Sequence, residues 1–127
     1  MMQTRQAAQA YANVGLQSSA ISASPHQLIV MLFDGAHAAL RKAGYALEAG
    51  DIAARGTALS KAIDIIERGL RAALDPDRGG DLAVQLDSLY DYMVRRLLHA
   101  NRHGDAAAIG EVEHLLGEIA SAWKQIG

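Results

Sequence analysis

At 127 residues, half of them apolar, the chain is long enough for one domain with a proper core, and its formal charge of −2 offers no strong field to nucleic acid or to an anionic membrane. Aromatic residues make up only 5% of it, which together with the many Ala and Leu favours helices over sheets. It has no cysteine, so a disulfide framework and thiolate chemistry are excluded.

The first 23 residues read as an arm, and residues 24–127 as the main domain. Ala7, Tyr11 and Val14 fall at helical spacing, ahead of Gly15 and the Ser18-Ser19 pair. One or two turns of helix are too short to persist unless docked. Either the terminus frays, or the arm is an amphipathic placeholder for a ligand helix. Residues 1–20 are polar and Ala-rich, without the apolar run of a secretory signal, and the longest apolar run, Leu28 to Phe33, is far short of the roughly 20 residues a membrane span needs. The expected location is the cytoplasm.

Ser24-Pro25-His26-Gln27 predicts a helix start, with Ser24 as cap, Pro25 in the first turn and Gln27 closing a capping box. From Leu28 to Leu47 apolar residues recur at three- and four-residue steps, until Gly50 stops the helix. Asp51 caps a second stripe from Leu59 to Leu74, which Asp75-Pro76 and Gly79-Gly80 end. Asp81 opens a third, from Leu82 to Ala100, and Asp105 caps a fourth, from Ala108 to Trp123. The predicted helices cover about 25–49, 52–74, 82–101 and 106–125, joined by short turns. The fold class is therefore all-α: an antiparallel up-down four-helix bundle with a short N-terminal helical arm.

Apolar residues exceed what one face per helix can bury. Ile29, Val30 and Phe33 lie beside or beyond the main stripe of the first bundle helix. Ile65 falls off the second stripe; Val94 and Leu98 fall to one side of the third, and Tyr92 to the other. Scattered apolar surface residues are normal, but a set of this size asks for a cover: the arm, a second copy or a partner.

Little here predicts catalysis. Glu111 and His114 make a single Glu-x-x-His pair, whereas a two-metal bundle needs it twice together with further glutamates. His26, His37, His99 and His103 are expected as surface or cap residues rather than ligands, and Gly79-Gly80 lacks the Lys and Ser/Thr of a phosphate loop. Asp75 with Asp77 and Asp87 with Asp91 read as turn and surface carboxylates, and Arg95, Arg96 and Arg102 as cations complementing a helix C-terminus.

Several strings resemble one family. Tyr11 through Val14 and then Ala23 through Ala36 look like the opening of the flagellar export chaperone family FliS, a tyrosine followed by a T-A-S-P-like cap and L-I-x-M-L-Y-D-G-A. Lys61-Ala62 with Ile65-Ile66, and Leu74-Asp75 before Gly79-Gly80, continue the likeness. Leu89 through Met93 with Arg96-Leu97 and Ala100-Asn101 is its closest stretch, and Glu111-Val112, Leu115-Leu116 and Trp123 complete it. It spans about residues 10–125 in order; Phe33 and Ser22 depart from the usual tyrosine and threonine, and residues 1–9 match poorly.

The resemblance implies a cytoplasmic bundle chaperone that binds the disordered C-terminal segment of flagellin, prevents its premature polymerisation and assists its delivery to the export gate of the flagellar type III apparatus. It also implies that the N-terminal segment can lie where the ligand goes, and that the tyrosine matched by Tyr11 takes part in docking on the export machinery. The expected partner-binding set is Tyr11, Val14, Ile29, Phe33, Ile65, Tyr92, Val94, Leu98 and Asn101. No catalytic, cofactor or metal residues, no nucleic acid and no membrane insertion are expected. The alternatives are a self-associating structural or regulatory bundle, with the apolar strips as a weak homodimer seam, and a metal-dependent bundle enzyme.

Overall fold

The structure, a computed structural model, describes residues 4–14 and 23–126. Gly15, Ser18, Ser19 and Ser22, singled out in the sequence, lie outside the described residues. Within them the protein is an all-α bundle: α1 (Thr4–Asn13), α2 (Pro25–Glu48), α3 (Ile52–Asp64) running on into a π-helical segment (Ile65–Arg71), α4 (Pro76–His103) and α5 (Ala106–Gln125). No helix among them is long and apolar enough to cross a membrane.

Local chemistry sets most of the helix starts. The Ser24 hydroxyl accepts from the Gln27 amide at 3.1 Å and the Gln27 side chain accepts from the Ser24 amide at 3.2 Å, a complete capping box. Asp51 accepts from the amide of Ala54 at 3.0 Å, and Asp105 from that of Ala108 at 3.2 Å. The helix expected from about 82 opens instead at Pro76, capped by Asp75, and breaks at Gly80. With φ +55° and ψ −133°, Gly80 takes a conformation L side chains rarely adopt, so one turn of helix precedes the main run of α4. The expected stop at Asp75-Pro76 and Gly79-Gly80 is thus a short helical turn with a kink after it.

Side-chain ties across the helices fix their directions. The Trp123 indole, near the end of α5, donates to the carbonyl of His26 at the start of α2, at 3.2 Å, with the two rings 4.9 Å apart. Arg55 at the start of α3 donates to the carbonyl of Asn101 at the end of α4, at 2.8 Å. Arg96 of α4 reaches Glu111 of α5 at 2.8 Å. Neighbouring helices from α2 to α5 therefore run antiparallel. Contacts of α2 with α3, α3 with α4, α4 with α5 and α5 with α2 close the ring.

The arm adds a fifth helix, on the seam between α2 and the π segment. This makes α2 the most surrounded element, flanked by α1, α3 and α5, and it explains a correction. Ile29 and Phe33, expected as surplus, are buried in the core, because α2 has protein over a wider arc than one bundle face. Ile65 is likewise fully buried rather than off the core face. A π turn is wider than an α turn, so the adjacent Ile65 and Ile66 both face protein where a regular wheel would turn one of them outward.

Candidate partner-binding surface

Two strips of interest flank α3. The first is the seam beneath the arm. Ala7, Ala10, Tyr11 and Val14 bury one side of α1, with Tyr11 only 4% exposed. The polar ties described there each join a side chain to a main-chain carbonyl. Gln6 donates to the carbonyls of Leu74 and Ala72, Asn13 to that of Arg68 at 3.0 Å, and the Lys61 ammonium to that of Val14 at 3.3 Å. The arm thus runs parallel to α2, from the level of Ala72 to that of Lys61. Gly69 permits the close approach: a Cβ there would stand 3.0 Å from the Leu32 side chain and 3.6 Å from that of Val14.

The second strip is on α4. Asp87, Asp91, Val94, Leu98 and Asn101 recur at three- and four-residue steps and so share one stripe. Its direction is fixed by what its ends touch. Asp87 and Asp91 both hold Arg71 of the π segment, at 2.7 and 3.2 Å, and Asn101 takes Arg55 of α3. The stripe therefore borders α3 on the side away from the arm. Between its polar ends Val94 is half-buried and Leu98 is 55% exposed.

Tyr92 does not join either strip. Its hydroxyl donates to Glu111, which also accepts from Arg96, so it faces α5. The Tyr92 hydroxyl and the Arg96 guanidinium hold the Glu111 carboxyl below the usual glutamate range, and Glu111 in turn holds the Tyr92 phenol up. Of the nine residues singled out, Tyr11 and Val14 lie on the arm, and Ile65 is fully buried at the start of the π segment. Val94, Leu98 and Asn101 come together on α4, while Ile29 and Phe33 belong to the interior.

Sequence reasoning missed the Arg71 cluster. Arg71 donates to both oxygens of Asp87 and also meets Glu67 and Asp91; the hydrogen bond to Asp87 is the largest cause of its raised pKa and of the lowered Asp87 carboxyl. Only the i, i+4 pair with Glu67 was visible in one dimension. Glu111 and His114, the one metal-like pair, diverge: Glu111 turns to α4 while His114 meets Glu118 at 3.2 Å. Among the described residues no cluster of three or more potential ligands could hold a metal ion. The arrangement offers apolar strips with polar borders, suited to laying down a helix.

A family profile described as "Flagellar protein FliS" matches residues 7–127. The flagellar secretion chaperone FliS of Salmonella typhimurium is 59% identical over 125 residues, covering 98% of this chain and 93% of that protein. Its namesake in Escherichia coli is 49% identical, covering 92% of this chain and 86% of the relative, and that of Bacillus subtilis is 36% identical, covering 86% and 80%. The chain belongs to the flagellar protein FliS family.

Proposed function

We propose that this protein is a cytoplasmic, non-enzymatic export chaperone that binds the disordered C-terminal segment of flagellin, keeps it from polymerising early and assists its delivery to the flagellar type III export gate. The names carried by its relatives support a flagellar secretion chaperone. The single structural observation behind the client reading is the seated arm. A ten-residue amphipathic helix, too short to persist alone, is held on the seam between α2 and the π segment by four apolar residues and a few hydrogen bonds. That is the form an incoming helical ligand takes in a groove, made here by the chain itself. A client folding onto the bundle sets buried apolar area against its own ordering entropy, so displacing a weakly held arm is a modest further cost.

Tyr11 fits a second step. Buried under the docked arm, it becomes available to an export-gate component once the client lifts the arm. The binding half is tested by isothermal calorimetry and melting of the full chain with a flagellin C-terminal peptide. A soluble one-to-one complex is expected, with about 2.7 kcal/mol of added stability at a free peptide concentration of 100 times Kd. No heat and no shift in melting at high micromolar peptide would remove the proposal.

A further inference from the structure

The residues from Ile65 to Arg71 wind as a π-helix between two grips. The arm and α2 hold one side of them, and α4 packs against them as well. A π turn holds one residue more than an α turn and is rare, so its neighbours must keep it open.

The main chain shows how the arm does so. At the exit of the segment the amides of Ala72 and Ala73 both donate to the carbonyl of Gly69, the second at 3.0 Å. Those are the two amides, four and five residues on, that an α or a π turn would send to the carbonyl of Arg68. The Arg68 carbonyl is passed over, and it accepts instead from the side-chain amide of Asn13, at 3.0 Å. A carbonyl skipped by the ladder needs another donor, and the arm supplies it.

The same segment ends in a second grip. Arg71 donates to Asp87 at 2.7 Å and to Asp91 at 3.2 Å, both on the α4 stripe. Where Arg71 points depends on how the turns before it are wound. Tightening to an α-helix lets the Ala72 amide recover the Arg68 carbonyl, and turns each later residue by about one position, roughly 100°. Arg71 is then carried away from the stripe.

We propose that the π segment couples the two strips that flank α3: the seated arm, through Asn13, keeps it wide and Arg71 closed on Asp87 and Asp91, and release of the arm lets it tighten and frees both carboxylates from Arg71. Linkage makes the effect mutual, so opening the Arg71 grip loosens the arm by the same free energy. The coupling belongs to the free chain and stands independently of the client.

The test is NMR on the full chain alone, following exchange of the Arg71 Nε proton. Arg96 is the internal reference, because its Nε makes a like bond to Glu111, at 2.8 Å, between α4 and α5. Asn13→Ala is expected to speed exchange at Arg71 at least threefold and to leave Arg96 unchanged. In the other direction, Asp87→Ala with Asp91→Ala is expected to speed amide exchange in residues 7–13 at least threefold, again with Arg96 unchanged. Arg71 exchange indifferent to Asn13→Ala, or Arg71 and Arg96 speeding alike, overturns the coupling. So does an arm whose exchange ignores the loss of the two carboxylates.

Discussion

Glu111 accepts the Tyr92 hydroxyl and the Arg96 guanidinium together, and so works as a small clasp between α4 and α5. Both donors favour the ionised carboxylate, which is why its pKa falls on folding. A depressed carboxyl pKa contributes stability that is present above the unfolded value and is lost as pH falls through the folded one. Glu111→Gln should therefore melt lower than the wild type at pH 7. The gap should narrow as the pH drops below about 4.3, the ordinary glutamate value. Thermal melts of both proteins between pH 7 and pH 3 check this; a gap that stays constant through acid would mean the carboxylate charge is irrelevant to the clasp.

Among the elements, the arm is the one whose hold is easiest to weaken without harming its support. Gln6→Ala with Asn13→Ala removes its amide donors but leaves Tyr11 and Val14 in place. Neutral hydrogen bonds contribute about 1 kcal/mol each, so the arm should loosen while the bundle stays folded. Hydrogen exchange is expected to speed in residues 7–13, with α2 to α5 unchanged, and flagellin peptide should bind faster. Helix starts were legible in the sequence because caps are local: Ser24, Asp51 and Asp105 each act within three residues. The π segment was not legible, because a widened turn depends on what presses against it, here the arm and α4. Ile65 was misjudged for that reason. Ile29 and Phe33 were misjudged because a wheel assumes one buried face, and α2 has neighbours on three sides. Leu98 was read as surplus and stands exposed, since none of the described residues covers that side of α4.

Over the whole molecule, burial separates two residues that the sequence treated alike. Leu98 is more than half exposed, so Leu98→Asp should keep the free protein's helical content and melting temperature while weakening flagellin peptide binding several-fold. Ile65 is fully buried, so Ile65→Asp places an unpaired charge in the core and should unfold the protein or cost several kcal/mol. Circular dichroism with calorimetry on the two variants makes the distinction. Unchanged binding by a folded Leu98→Asp chain would confine the client to the arm side of α3. The latch on that side is lopsided in a way that matters for divergence. Its acceptors on the bundle are the peptide oxygens of Arg68, Ala72 and Leu74, which persist whatever side chains those positions carry. Mutational drift across the scaffold therefore leaves that half of the fastening intact, and replacements at Gln6 and Asn13 set how readily it opens. Grafting one homologue's first fourteen residues onto another's helices should carry the donor's release behaviour with them.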